Sequence, residues 1–309
     1  MKRFRKLRGG ALAAAAAGVL AVTVVAASGA GAAPSGQAHG QPSQHHQADV
    51  VFFDGFDGSS VDRSKWNVDV TQSTQYNGEL EAYTDSSSTV RVVHGRAAEG
   101  AQGGALLLQA HYRPGYTTPQ GNKLDFVSGK VDTSNKFDVT HGTVSARMKL
   151  PVGVGYWPAF WMLGYGSWPA TGEIDVMENI GDPSWVSAAT HGPNYSGDQA
   201  PVNRAYLQSM QLRNVAAWHT YSVKWTSNAM TFYVDGKVFF NETKAMITFF
   251  GSWAFDNPKY LILNLALGGV YPYKMTAVTT PYYGMSQQTL QSVKADEGNV
   301  LVDWVKVTK

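Results

Sequence analysis

The sequence predicts an all-β protein, a sandwich of two antiparallel sheets. Three observations predict it. Short apolar runs rich in Val, Ile and aromatic residues recur along the chain, several with period-two alternation. Gly, Asn, Asp and Pro punctuate the gaps between them. Helical periodicity is weak everywhere, and only Gln287–Ala295 is expected to form a short turn of helix. There is no internal repeat.

The elements follow in order. Lys2, Arg3, Arg5, Lys6 and Arg8 form a basic region ahead of an apolar run from Ala11 to about Ala27, and small residues follow through Ala33. Residues 1–33 therefore read as a secretory leader with an Ala-x-Ala-like cleavage site. Residues 34–48 are a Gly/Pro/Gln/His linker without an apolar pattern. Residues 49–309 form one β domain.

Within that domain the expected strands are Val50–Phe53, Gly104–Ala110, Gly142–Leu150, Trp157–Leu163, Ile174–Met177, Trp185–Thr190, Trp218–Trp225, Met230–Val234, Tyr260–Ala266 and Val300–Val307. Trp218–Trp225 shows the alternation plainly: His219, Tyr221, Val223 and Trp225 interleave with Trp218, Thr220, Ser222 and Lys224. Asp235-Gly236, set between Phe232-Tyr233-Val234 and Lys237-Val238-Phe239, is a hairpin signal. His219 lies in register with Tyr221 and is expected to be structural.

Charge and composition narrow the function. The chain has 25 basic and 23 acidic residues; five of the basic ones and none of the acidic ones fall in the leader, so the remainder carries a formal −3. No basic patch points to nucleic acid. After the leader no segment is long and apolar enough to span a bilayer. With no cysteine, an exported chain is held by its core alone. Nine Trp, fifteen Tyr and thirteen Phe exceed what a β core needs, and aromatic faces stack on the C–H faces of sugar rings.

Glu173-Ile174-Asp175-Val176-Met177-Glu178 is the most informative stretch. Alternation in a strand places Glu173 and Asp175 on one face and Ile174 and Val176 on the other. Glu178 has the wrong parity for that face unless one extra residue at Val176–Met177, a β-bulge, brings it back. Three acids on one face repel one another, so the cluster implies use. Two carboxylates flanking a glycosidic bond can cleave it, and the retaining route needs them about 5–5.5 Å apart. Asp175 would then assist by hydrogen bonding and by like-charge repulsion that raises a neighbour's pKa. The same acids would also suit a calcium ion, although such ligands come mostly from loops.

Gly172–Gly181 resembles the active-site signature of glycoside hydrolase family 16, in its laminarinase-like, bulge-containing branch. The resemblance covers nearly the whole mature chain. It continues through Asn77-Gly78-Glu79-Leu80-Glu81, Ser128-Gly129-Lys130-Val131, Trp157-Pro158-Ala159-Phe160-Trp161, Trp168-Pro169, Trp218-His219, Tyr233-Val234-Asp235-Gly236, Leu263-Asn264-Leu265-Ala266 and Val302-Asp303-Trp304, in that order.

This resemblance implies a β-jelly-roll sandwich with a concave substrate cleft. It implies Glu173 as nucleophile, Glu178 as general acid/base and Asp175 as assisting acid. Substrate contacts are expected from Asn77, Lys130, Trp157, Trp161, Trp168, His191 and Asn264. The implied enzyme is secreted and monomeric. It acts on a β-1,3-glucan, or on mixed β-1,3/1,4-glucan, and requires no cofactor. Galactan cleavage, transglycosylation and non-catalytic glucan binding are the alternatives. A structural Ca²⁺ ion would involve Asp303, although Gly55 stands where the family often has a Glu. Lys130 replaces the family's Arg and cannot make its forked contact.

Overall fold

The structure is a computed structural model that describes residues 48–71 and 76–309. The leader and the linker through residue 47 lie outside the described residues. In chain order the strands are β1 (Val50–Asp54), β2 (Asn67–Val68), β3 (Glu81–Tyr83), β4 (Val90–Val93), β5 (Ala105–Gln109), β6 (His111–Thr117), β7 (Lys123–Ser128), β8 (Lys130–Asp132) and β9 (Gly142–Lys149). They continue with β10 (Tyr156–Gly164), β11 (Glu173–Glu178), β12 (Trp185–His191), β13 (Val202–Tyr206), β14 (His219–Trp225), β15 (Ala229–Val234), β16 (Lys237–Thr243), β17 (Lys259–Leu267) and β18 (Asn299–Thr308). Three short helices are α1 (Lys244–Phe250), α2 (Val270–Thr276) and α3 (Gln287–Lys294).

One sheet has the order β16-β15-β14-β9-β18-β5-β4, with β1 also paired to β18. The other runs β13-β12-β11-β10-β17-β8-β2. Both are antiparallel throughout, so the expected sandwich forms. A third sheet, β3-β7-β6, was not expected, and its β3–β7 pair is parallel.

The core follows from the alternation. On β14, His219, Tyr221, Val223 and Trp225 are buried, while Lys224 is exposed. From the facing sheet, Phe160, Met162, Ile174, Val176, Leu261, Leu263 and Leu265 join the same apolar cluster. Burying each such side chain contributes about 1.5–3 kcal/mol. The β15–β16 hairpin turns on Asp235 (φ 49°) and Gly236 (φ 74°), the paired positive φ values that Asp-Gly supplies in a tight hairpin. Asp235 also accepts from the Thr220 amide and lies 2.7 Å from His219 Nδ1, while His219 Nε2 reaches the Asn214 carbonyl at 3.0 Å. His219 is therefore a buried strand-to-hairpin tie.

Candidate active site

Strand β11 carries the predicted bulge. On one side Phe160 pairs with Met177 and Trp161 with Asp175; on the other Ala189 pairs with Asp175 and Ser187 with Glu178. Strand β11 thus spends one residue more than either neighbour, which returns Glu178 to the face of Glu173 and Asp175. Ile174, Val176 and Met177 pack inward. The acids are held from both sides because β11 lies third from the β13 edge of a seven-stranded sheet.

Each glutamate receives an indole N–H. Trp157 Nε1 donates to Glu178 Oε1 at 2.9 Å, and Trp168 Nε1 donates to Glu173 Oε2 at 2.8 Å. Trp157 comes from β10, one strand over; Trp168, half exposed, comes from the loop ahead of β11. His191, at the end of β12, faces the acids. Its Nε2 lies 3.1 Å from Asp175 Oδ2 and 3.8 Å from Glu173 Oε1. Its Nδ1 accepts the Gly197 amide at 3.2 Å, which leaves the proton on Nε2, toward the carboxylates.

Crowding sets the electrostatics. Burial raises the Glu173 carboxyl well above the usual range, with the Asp175 charge adding to it and His191 opposing it. Burial and the Glu178 charge do the same to Asp175. Burial also raises Glu178, against the lowering effects of the Trp157 N–H and His191. Burial and mutual repulsion thus work together against full ionisation of the three acids.

The remaining expected residues are placed as follows. Trp161 Nε1 donates to Asn264 Oδ1 at 2.8 Å, and Asn264 Nδ2 donates to the Tyr83 hydroxyl at 3.0 Å. Asn264 is thus engaged at both ends and orients two aromatic rings. Lys130 Nζ pairs with Asp69 at 3.0 Å and lies 5.5 Å from the Trp161 ring and 5.6 Å from the Tyr83 ring. Asn77 is exposed, with φ 55° and its Nδ2 3.5 Å from Glu79 Oε1. Asn264 on β17 and Lys130 on β8 lie on the β10 side of the acids, and Asn77 lies in the turn ahead of β3.

Asp303 lies elsewhere, on β18 in the opposite sheet. It is almost fully buried; Oδ1 accepts the Gln102 amide at 2.8 Å and Oδ2 accepts the Arg147 guanidinium. A calcium ion needs several free oxygens, and here a guanidinium takes up the charge. Both Asp303 oxygens are thus engaged by protein donors rather than left free for an ion. With Asp303 neutralised by Arg147, chelation with EDTA is expected to move the melting temperature by less than about 1 °C, and a larger fall would reveal a bound ion; differential scanning calorimetry checks this.

Sequence reasoning missed several neighbours. Tyr271, on α2, packs its ring 5.5 Å from Trp157, and its hydroxyl lies 3.1 Å from Ser187 Oγ. Glu79 and the fully buried Glu81 stand beside Tyr83; Glu81 Oε2 accepts the Leu267 amide at 2.7 Å. Arg204 on β13 lies 4.6 Å from the Trp185 ring. In the sequence Tyr271 stands in an aromatic run over 270–283 whose spacing shows no role for it.

A β-sandwich with paired glutamates and indoles on one open sheet face is the layout of a glycoside hydrolase. The chain belongs to the glycosyl hydrolases family 16, whose family model matches residues 63–305. It is 34% identical over 247 residues to a glucan endo-1,3-beta-glucosidase A1 of Niallia circulans, covering 71% of this chain but only 34% of that relative's length. It is 31% identical to a beta-glucanase of Rhodothermus marinus, over 72% of this chain and 77% of that one. Among solved structures, an endo-beta-1,3-glucanase from Pyrococcus furiosus superposes with a TM-score of 0.71 at 30% identity, covering 85% of this chain and 94% of that chain.

Proposed function

We propose that this chain is an exported, monomeric endo-β-1,3-glucanase that works by the retaining route. The observation that carries the reading is the bulged strand, which gives Glu173 and Glu178 one face and each an indole donor. Glu173 attacks the anomeric carbon and forms a covalent glycosyl-enzyme. Glu178 protonates the leaving oxygen and then takes a proton from the attacking water. Burial favours the protonated form of Glu178 needed for the first step.

Asp175 and His191 govern where the cluster's proton sits. The Trp168 N–H and the His191 Nε2–H both favour ionised Glu173. The scheme calls on no cofactor. The leader-like N-terminus supports export, and the glucanases among the relatives support the substrate class.

The test is a product profile on laminarin, mixed-linkage glucan, agarose and carrageenan, with the first-released anomer read by proton NMR. Short β-1,3 oligosaccharides released with retained configuration are expected. Cleavage of a galactan alone would move the substrate assignment, and inverted product would remove the covalent step. Binding to laminarin without cleavage of any polysaccharide would make the chain a glucan-binding module.

A further inference from the structure

Lys259 opens β17 and is fully buried, with no accessible surface. Its Nζ donates to the carbonyls of Thr171 at 2.6 Å and Ala254 at 3.1 Å and to Asn257 Oδ1 at 2.8 Å, and the Gly172 carbonyl stands at 3.3 Å. All four are neutral oxygens. The rings of Phe255 and Trp225 lie 5.4 and 5.9 Å away. A buried ammonium without an ion-paired acid is costly, and a Met or Leu would fill the same space without that cost. Burial lowers this amine to about 7, with the Glu173 charge acting the other way.

The carbonyls it binds locate its role. Thr171 and Gly172 immediately precede Glu173, and they end the loop that delivers Trp168 to the Glu173 carboxylate. The Gly172 amide closes that loop on the Pro169 carbonyl at 3.0 Å, and the Gly164 amide ties it to β10 at 3.2 Å. Ala254 and Asn257 belong to a separate loop, between α1 and β17. One amine therefore joins two loops directly behind the residue assigned as nucleophile.

We propose that Lys259 is a positioning residue for the reaction: its buried ammonium clamps the Thr171–Gly172 turn to the 254–257 loop and sets a positive charge behind the Glu173 carboxylate. The proposal rests on the reading of Glu173 as nucleophile. The titratable groups facing Glu173 are Asp175 and Glu178 from its own strand, His191 from β12, and Lys259 and Tyr260 from β17. Of the two bases, only Lys259 grips the backbone that aims it. Removing the ammonium leaves His191 as the one base opposing three crowded acids, so Glu173 should ionise at higher pH.

The experiment uses an epoxyalkyl β-glycoside of laminaribiose, which esterifies the ionised nucleophile of the folded enzyme. Its inactivation rate is followed against pH for the wild type and Lys259→Met, with the labelled peptide identified by mass spectrometry. The acidic limb is expected to move up by about one pH unit in the variant. The kcat on laminarin should fall about tenfold or more, with KM changed less than about threefold. Superimposed limbs in a folded variant overturn the proposal while leaving the nucleophile in place. A wild-type enzyme without label on Glu173 removes the nucleophile assignment, and this proposal with it. Lys259→Gln, which keeps a donor and deletes the charge, is the second variant. If neither variant folds, Lys259 belongs to the fold alone and the proposal fails.

Discussion

Glu173→Gln is expected to lower turnover of laminarin by at least about a thousandfold while leaving glucan binding and the fold intact. The amide keeps the shape and still accepts the Trp168 N–H, but it cannot form the glycosyl ester. Binding is read by affinity electrophoresis in laminarin gels and turnover by reducing sugar. Persistent turnover would displace Glu173 from the role of nucleophile.

The same variant should also be more stable than the wild type at neutral pH. Glu173 has its folded pKa raised by burial and by Asp175, so the folded state holds its proton more tightly than the unfolded chain. That contribution is fully present below the unfolded pKa and is lost as pH rises through the folded one. Above it, the wild type keeps a buried charge that the glutamine lacks. The difference in melting temperature should therefore widen as pH rises from the unfolded pKa toward the raised folded one. A difference independent of pH would show that the gain has another source.

Gly181→Ala is expected to destabilise the domain by about 3 kcal/mol or more, lowering the melting temperature by roughly 6–12 °C. Gly181 has φ +83°, and a Cβ there would stand 1.8 Å from the Gly153 carbonyl oxygen. That oxygen is main chain and cannot swing aside. The two loops are already locked, because the Gly153 amide donates to the Gly181 carbonyl at 2.8 Å and the Gly181 amide donates to Asn179 Oδ1 at 2.6 Å. The fully buried Asn179 in turn bonds the Asp182 carbonyl at 2.8 Å. Forcing the loops apart displaces the start of β10, where Trp157 sits, and the end of β11, where Glu178 sits. Activity should therefore fall along with stability. Circular dichroism melts check the first and laminarin assays the second; an unchanged melt would mean the loops separate freely.

The long inward-facing strands were legible because one buried face imposes its alternation on the sequence. Strands β9, β14 and β18 show it, β10 reads instead as one continuous apolar run, and the structure places all four within one residue of the expected bounds. The short or edge strands carry no such pattern. The middle of β6 is Arg113-Pro114-Gly115, all exposed, and β13 is an edge with only Ala205 buried. Helix α2 begins Val270-Tyr271-Pro272, which reads as a turn, and α1 exposes Phe249 and Phe250, so its apolar residues mark no single face.

The acids could be read because their chemistry and spacing lie within six residues. Their supports could not, because contact across the sheet joins residues far apart in the chain. Tyr271 meets Ser187 across 84 positions and Asn264 meets Tyr83 across 181. In the sequence Lys259 is one lysine beside a proline; only the fold turns it inward. The Asp303–Arg147 pair was hidden for the same reason, since its partners are 156 residues apart.

The extra residue in β11 also uncouples the length of that strand from the aim of its ends. Elsewhere in the sheet, adding or removing one residue reverses inside and outside for everything beyond it. Here the surplus is absorbed at Val176–Met177, while β10 and β12 keep regular spacing opposite it. A strand with either residue deleted would be strictly alternating, with its two glutamates four positions apart and both still facing outward. Among the described residues, the one place in this sheet where the chain can change length by a single residue without inverting its neighbours lies between Glu173 and Glu178.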